Sequence, residues 1–263
     1  MNIESATNAS NLLMHHWENG TVIQSLPIDL RPANRKDGYL IQAQIETTSK
    51  KPLFGWKIAA TSSAGQKHIG IDGPIAGRLL EEMVIHAGEE ISLVSNRMRV
   101  AEAEFAFRMG KDLPPRIEPY ELSEVIDAVS ELYLAIEIPD SRYTDFAVVG
   151  APQLIADNAC GHRFMLGPEA PVIWRQLDLA SHRVVGKVGN RLEREGLGSN
   201  VLGDPRIALA WLVNELSTLG ITLVSGQIVT TGTCLIPMDV NPGELVSFDF
   251  GILGQAACRF SKT

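Results

Sequence analysis

Hydrophobic residues recur at helical spacing near the start of the chain. Leu13 and Trp17 lie four residues apart, and Gly20 follows at the position where a helix would end. This pattern predicts a helix over residues 5–19. A second amphipathic helix is predicted to begin after Pro32 and to run through residue 50, again from apolar residues four apart.

From residue 55 onward the pattern changes to short runs of strand-like composition, separated by Gly, Pro and Asp. The first four predicted strand segments are GWKIAATS, EEISLVS, RVAEAEFAFRMG and YLAIEIPD. Further along, SHRVVGKVGNRLERE predicts a hairpin around a Gly-Asn turn. Two more strand-rich segments, ITLVSGQIVTTGTCLIP and GELVSFDFGILGQAACRF, end the sequence.

Two helices are predicted between these strands. Residues 121–132 carry apolar side chains at helical spacing. The second helix begins at Asp204, a suitable N-cap followed by Pro205 at the first helical position, and it ends at Gly220.

No repeat, low-complexity segment or flexible linker divides the sequence. We therefore predict one domain over residues 1–263, in which a helical segment at 1–52 precedes a strand-rich body at 53–263. The expected fold class is mixed α/β.

Composition and charge exclude several classes of function. The 263 residues include 31 acidic and 23 basic side chains, for a net charge of −8. Nucleic-acid affinity comes largely from Lys and Arg, so a nucleic-acid partner is not expected. The three cysteines form no CxxC pair, which excludes a disulfide framework and a structural zinc site. No apolar run is long enough to cross a membrane and the N-terminus lacks signal-peptide features, so a cytoplasmic location is expected.

Two carboxylates stand out in the strand segment VAEAEFAF. Glu102 and Glu104 are two residues apart, so both project from one face of the strand, about 6.5 to 7 Å apart. They could share one cation. Alternatively, the strand is simply amphipathic, with its alanines and phenylalanines buried and both glutamates in water.

Glu137 is the single charged residue in the apolar segment YLAIEIP. A buried carboxylate needs a partner, because an unpaired buried charge costs several kcal/mol. A hard divalent cation shared with Glu102 and Glu104 would provide one, and all-oxygen ligands suit Mg²⁺ or Mn²⁺. A salt bridge to Arg142 or to another basic residue is the alternative.

Three further residues have both a functional and a structural interpretation. Lys57 shares its strand face with small residues, which leaves it either solvated or beside a ligand cavity, where burial would lower its pKa. Asp72 precedes Gly-Pro, the usual setting of a turn aspartate. Thr233, in TTGT, either holds a carboxylate or belongs to a polar turn.

Taken together, the segments resemble the 2-keto-4-pentenoate hydratase and 4-oxalocrotonate decarboxylase branch of the fumarylacetoacetate hydrolase superfamily. The matching segments run through nearly the whole chain: GWKIAATS, GIDGPIAG, the E-x-E-F strand, AIEIPDSRYTDF, APQLIADNACG, GSNVLGDP, GQIVTTGT and FDFGILGQAACRF.

The resemblance implies a rolled mixed sheet and a Mg²⁺ or Mn²⁺ ion on carboxylates that fall at Glu102, Glu104 and Glu137. It places the family's active-site lysine at Lys57 and an acidic partner at Asp72. Lys57 and Asp72 are thus the expected catalytic residues. The expected substrate-binding residues are Thr233 and Arg142.

The implied reaction is hydration of 2-hydroxypenta-2,4-dienoate to 4-hydroxy-2-oxopentanoate, in aromatic-compound catabolism. Decarboxylation of 2-oxohex-3-enedioate is the alternative, in which Arg142 or Arg163 would bind the second carboxylate. Carbon–carbon hydrolysis and a non-catalytic partner subunit are less favoured. The resemblance also implies a homo-oligomer, and association with a pathway enzyme is a further expectation from it.

Overall fold

The computed structural model describes residues 1–86 and 88–263. These residues form six α-helices, two of which precede the first strand. Their bounds are α1 Ile3–Asn19, α2 Arg35–Ala43, α3 Ser63–His68, α4 Leu122–Asp127, α5 Ala151–Ala156 and α6 Pro205–Thr218.

The described residues also form thirteen strands. Their bounds are β1 Gly55–Ala59, β2 Ile75–Leu79, β3 Val84–Ile85, β4 Glu90–Ile91, β5 Val100–Met109, β6 Val129–Ile138, β7 Arg163–Glu169, β8 Arg183–Val188, β9 Leu192–Leu197, β10 Ile228–Thr233, β11 Met238–Asp239, β12 Leu245–Asp249 and β13 Gln255–Phe260.

The larger sheet has the strand order β2-β1-β10-β5-β6-β7-β3, and β11 pairs with β5 outside this path. The β1–β10 and β3–β7 pairs are parallel, and the remaining pairs of the path are antiparallel. The mixed α/β fold class is thereby confirmed.

The smaller sheet has the order β4-β13-β12-β8-β9 and packs on the larger one through contacts of β13 with β6 and β7. The main core lies between the sheets. Phe105 and Phe107, on one face of β5, are fully buried there, and Phe105 packs edge-on against Phe250. Because side chains alternate along a strand, Glu102 and Glu104 project from the opposite face.

The helices before β1 form a second, smaller core with α5. Ala6, Ala9 and Leu13 of α1 are buried there with Ile41 of α2 and Ala156 of α5. Asn2 caps α1 by accepting a hydrogen bond from the Ser5 N–H, and Gly20 ends the helix in the left-handed region. The first predicted helix is therefore confirmed, with its start at residue 3.

Most local predictions are confirmed, but two helices are shorter than predicted. The hairpin forms as β8 and β9, and Asp204 caps α6 as expected. The helix predicted over 121–132 ends at Asp127, and Val129 and Leu132 belong to β6. The predicted second helix is likewise shorter, since α2 continues as a 3-10 helix from Gln44 to Thr48. Val129 and Leu132 are three residues apart, and they reach the same face of β6 because the pairing with β5 shifts register between them.

None of the described helices has both the length and the apolar character needed to span a membrane.

Candidate active site

Three carboxylates meet on one face of the larger sheet. Glu102 and Glu104 lie on β5, and Glu137 lies directly opposite Glu102 on β6. One oxygen from each carboxylate lies within 4.8 Å of the others. Like charges directly opposite each other in a sheet are destabilising, so this arrangement needs a compensating positive charge.

The carboxylates are withdrawn from solvent. Glu104 is fully buried, Glu137 is 1% exposed and Glu102 is half-buried. The interpretation of the strand as simply amphipathic, with its glutamates in water, is therefore wrong. On the same sheet face, the small residues Ala106 and Ala135 lie next to the carboxylates in register.

Glu104 is fixed by donors from β10. The Thr230 hydroxyl and the Gly232 N–H, at 2.9 Å, both donate to Glu104 Oε2. Glu104 Oε1 is buried and has no donor among the described residues. One side of this carboxylate is thus held rigidly, and the other is available to a ligand.

Lys57 is the basic partner of Glu137. Its Nζ lies 2.7 Å from Glu137 Oε1 and donates a hydrogen bond of 2.8 Å to the carbonyl of Ala159. The lysine is 3% exposed, so its neighbours bury it rather than leave it solvated. β1 and β6 are three places apart in the sheet, roughly 14 Å if it were flat. Lys57 therefore reaches Glu137 across the two intervening strands, β10 and β5.

The mutual proximity of these groups shifts their pKa values. Burial, and then the charge of Glu137, raises the pKa of Glu102 to about 7. The same two causes and the charge of Glu102 raise the pKa of Glu104 well above its usual range. Burial lowers the pKa of Lys57, but the charges of Glu137 and Glu102 outweigh burial, so the pKa is raised. The expectation of a lowered lysine pKa is wrong for this arrangement, because the carboxylates surround the ammonium.

The residues present fit a divalent cation. Three ionised carboxylates and one ammonium group leave two negative charges uncompensated in a buried space. A divalent cation would neutralise them, and the free Oε1 atom of Glu104 would become a ligand. An all-carboxylate donor set is the one that hard cations such as Mg²⁺, Mn²⁺ and Ca²⁺ prefer.

A strained turn supplies the carbonyl that holds Lys57. Asn158, Ala159 and Cys160 all have left-handed backbone conformations, with φ of 53°, 51° and 60°. This conformation costs about 1–2 kcal/mol for each residue with a side chain, although Asn tolerates it better. Strain of this kind persists only where surrounding contacts hold it.

Arg142 contacts the start of this turn. It is 5% exposed, and its Nε donates to the Asp157 carboxylate, its Nη2 to the Asp157 carbonyl and its Nη1 to the Gly161 carbonyl at 2.9 Å. Each guanidinium nitrogen therefore has a partner within the protein. The substrate-binding role of Arg142 stays a prediction, and it would require these bonds to be exchanged for bonds to substrate.

The other two predicted positions lie in different surroundings. The side chain of Asp72 is 95% exposed in the turn before β2, 4.0 Å from the Arg35 guanidinium. Thr233 is half-buried opposite Glu104 in the β10–β5 register, and its hydroxyl donates to the Leu235 carbonyl at 2.7 Å. The structure therefore brings Thr233 next to the carboxylates and leaves Asp72 outside the buried cluster. The roles assigned to both stay predictions.

Sequence reasoning overlooked Thr230 and Asn158. The hydroxyl-rich segment TTGT contains Thr230, but the register that aims this hydroxyl at Glu104 depends on a pairing between distant strands. For Asn158, the segment DNAC contains a residue that tolerates left-handed backbone, which was a usable signal.

Comparisons with known proteins agree with the sequence resemblance. No family model matches the chain. A 2-keto-4-pentenoate hydratase from Burkholderia vietnamiensis strain G4 is 35% identical over 223 residues, 84% of this chain and 83% of the relative. A 2-oxo-hept-4-ene-1,7-dioate hydratase from Escherichia coli is 28% identical over 246 residues, covering 90% and 91%.

A solved structure shows the same fold over its whole length. The 4-oxalocrotonate decarboxylase from Pseudomonas putida G7, complexed with magnesium and adipate, superposes with a TM-score of 0.89 at 25% identity. The match covers 99% of this chain and 98% of the decarboxylase. The same decarboxylase has also been solved with calcium and acetate.

Proposed function

The chain belongs to the 2-keto-4-pentenoate hydratase family of the fumarylacetoacetate hydrolase superfamily, and from this premise we propose its reaction and the residues that perform it. The proposed activity is metal-dependent addition of water to 2-hydroxypenta-2,4-dienoate, which gives 4-hydroxy-2-oxopentanoate. The observation that carries the proposal is the buried group of Glu102, Glu104 and Glu137 with Lys57 beside it.

We propose that these three carboxylates hold Mg²⁺ or Mn²⁺. When bound, the ion would act as a Lewis acid toward the carboxylate and 2-oxygen of the substrate. The charge balance and the free oxygen of Glu104 support this choice of ligands. The magnesium and calcium in structures of the decarboxylase from Pseudomonas putida G7 show that a neighbour of this fold takes such ions.

The protein's own residues position substrate and move protons. Conversion of the dienol to the conjugated ketone takes a proton from the 2-hydroxyl and adds one at C5. Water then adds with its hydroxyl at C4 and its proton at C3. We assign these proton transfers to Lys57 Nζ, which lies beside the carboxylates at 2.7 Å from Glu137 Oε1. Asp72 would take part only after the exposed turn moves toward the carboxylates.

Substrate orientation is assigned to β10. Thr233 lies opposite Glu104 and would hold the substrate carboxylate through its hydroxyl. That hydroxyl now donates to Leu235, so substrate binding would exchange one acceptor for another.

Decarboxylation of 2-oxohex-3-enedioate is the second candidate, favoured by the close structural match to 4-oxalocrotonate decarboxylase. It would need a cation for the second carboxylate. Arg142 is engaged by Asp157. Arg163 lies opposite Ile138, so strand alternation directs it away from the face of Glu137, and it donates to the Glu82 carbonyl. These contacts favour the monocarboxylate substrate and hydration.

The ultraviolet chromophore of freshly generated 2-hydroxypenta-2,4-dienoate tests the proposal. With purified protein and Mg²⁺, the chromophore should decay and 4-hydroxy-2-oxopentanoate should accumulate. Release of carbon dioxide from 2-oxohex-3-enedioate, without decay of the dienoate, would establish the second candidate instead. A homo-oligomeric state, association with a pathway enzyme and a cytoplasmic location stay predictions.

A further inference from the structure

The turn that follows α5 connects the edge of the larger sheet to Lys57. Its central residue, Ala159, accepts the hydrogen bond from Lys57 Nζ at 2.8 Å. The residue before it, Asn158, is 4% exposed and contacts β2. We propose that Asn158 is a positioning residue for Lys57: its side chain holds the turn in place, and the turn's carbonyl fixes the ammonium. The catalytic consequence of this inference rests on the proposed function.

The contact between Asn158 and β2 is a two-point clamp. Asn158 Oδ1 accepts from the backbone N–H of Arg78 at 2.6 Å, and its Nδ2 donates to the Arg78 carbonyl at 2.8 Å. β2 is the edge strand of the larger sheet, so the side-chain amide continues the backbone pairing that the edge leaves unused. Both the donor and the acceptor of the Asn158 side chain therefore bond to the backbone of β2.

The turn needs such a clamp because its backbone is strained. Ala159 and Cys160 follow Asn158 in the left-handed region, which residues with a Cβ atom rarely adopt. Asp157, paired with Arg142, anchors the start of the turn. Without the Asn158 clamp, the turn would relax toward ordinary backbone angles, and the Ala159 carbonyl would move away from Lys57.

The turn, Lys57 and β2 pack tightly around Gly77. It lies opposite Lys57 in the β1–β2 pair. A Cβ atom at this position would lie 2.6 Å from the Asn158 carbonyl oxygen and 2.8 Å from Lys57 Cγ. A side chain at Gly77 would therefore displace the turn or the lysine without removing any polar group. This gives a second, independent way to disturb the same arrangement.

The test compares Asn158→Ala and Gly77→Ala with Gln153→Met. Gln153 is a matched control: it is a buried amide that also bonds to backbone, accepting from the Leu26 N–H and donating to the Val149 carbonyl, with no contact to Lys57. Two properties are measured on each full-length protein. One is kcat and KM for the dienoate at saturating Mg²⁺, and the other is the rate at which an acetylating reagent modifies Lys57, followed by peptide mass spectrometry.

We expect Asn158→Ala and Gly77→Ala to lower kcat by about 10- to 100-fold, the cost of misplacing a reacting group by about 1 Å. KM should change by less than about threefold, since the groups assigned to substrate binding are untouched. Lys57 should be acetylated faster than in the wild type, because its ammonium has lost a fixed acceptor. Gln153→Met should lower stability without changing kcat or the labelling of Lys57.

Equal kcat and equal Lys57 labelling in Asn158→Ala and Gln153→Met would overturn the inference. A fall in kcat without a change in labelling would also overturn it. If Asn158→Ala does not fold, Asn158→Asp, which keeps the acceptor for Arg78, and Gly77→Ala decide the matter by the same two measurements. A wild-type protein with no hydratase activity would overturn the proposed function, while the labelling comparison would still decide whether Asn158 positions Lys57.

Discussion

Lys57 Nζ lies 2.7 Å from Glu137 Oε1, and both side chains are almost completely buried. The ion pair compensates one of the three clustered carboxylates and leaves Glu102 and Glu104 without a counter-charge. Burial and repulsion raise the pKa values of these two groups. Binding of protons or of a divalent cation therefore reduces the repulsion among the three carboxylates. Protons and the cation compete for the same oxygens.

Divalent cations should stabilise the protein through Glu104. Mg²⁺ or Mn²⁺ at 100 times its Kd should raise the free energy of unfolding by about 2.7 kcal/mol. In Glu104→Gln that gain should disappear, while the metal-free protein should become more stable, because one repelling carboxylate is gone. Urea unfolding in EDTA and in excess metal measures both effects.

Glu131→Gln is the matched control for this experiment. Glu131 lies on β6 near its other end and pairs with Arg108 at the surface. Its loss should leave the metal-dependent gain unchanged. A metal-dependent gain of equal size in Glu104→Gln and in Glu131→Gln would exclude Glu104 as a ligand.

Stability without metal should depend on pH through Glu102. Its pKa is about 7 in the folded protein and 4.5 in an unfolded chain, so the folded state binds the proton more tightly. The free energy of unfolding should therefore fall as pH rises from about 4.5 to about 7, and level off above. The sign is opposite to that of a carboxylate stabilised by a salt bridge.

The Glu102 contribution is isolated by subtracting the pH profile of Glu102→Gln from that of the wild type, both in EDTA. The difference should fall through this window in EDTA. With saturating Mg²⁺ it should rise with pH instead, because a carboxylate that binds the cation holds a proton less tightly in the folded state. A difference profile in EDTA that is flat, or that rises with pH, would contradict the account.

Loss of Lys57 should separate catalysis from metal binding. Lys57→Met should reduce kcat by about 10²- to 10⁴-fold, the usual contribution of a positioned proton-transfer group. It should also lower the metal-free stability by about 3–5 kcal/mol, because Glu137 keeps a buried charge without its partner. Calorimetry should still detect Mg²⁺ binding.

Lys187→Met is the matched control for this variant. It removes a surface lysine paired with Glu193 and should change none of these quantities. Unchanged hydratase activity in Lys57→Met would exclude the proposed role of Lys57.

Arg142 provides a test between a structural and a substrate-binding role. Arg142→Gln leaves Asp157 buried without its cation, so we expect the free energy of unfolding to fall by about 3–5 kcal/mol. If Arg142 also binds substrate directly, KM should rise in addition to this loss of stability, whereas a purely structural role should leave KM near that of the wild type. Unfolding curves and steady-state kinetics on the same preparation distinguish the two results.

Local sequence patterns predict much of this fold. The N-cap Asp204 and the Gly-Asn turn determine where α6 begins and where β8 meets β9, because caps and tight turns depend on a few adjacent residues. The segment at 121–132 shows the limit. Its apolar spacing fits a helix, but pairing of Val129 and Leu132 with β5 outweighs that local preference.

In the candidate site, too, local sequence patterns predict some residues and not others. Strand alternation and a charge in an apolar run were enough to single out Glu102, Glu104 and Glu137. The partner of Glu137 was not predictable, because Lys57 reaches it only after β10 and β5 have been inserted between β1 and β6. The left-handed turn was missed because Ala159 and Cys160 have no sequence feature that favours such a backbone.

Metal-dependent decay of the dienoate chromophore distinguishes a hydratase built on the three carboxylates from a protein without that activity. Protein stripped with EDTA should leave 2-hydroxypenta-2,4-dienoate at its spontaneous rate of decay. Restoring Mg²⁺ or Mn²⁺ should start rapid conversion to 4-hydroxy-2-oxopentanoate in the wild type but not in Glu104→Gln at the same metal concentration. Decay that is equally fast in EDTA, or equally fast in the variant, would contradict a hydratase built on the three carboxylates.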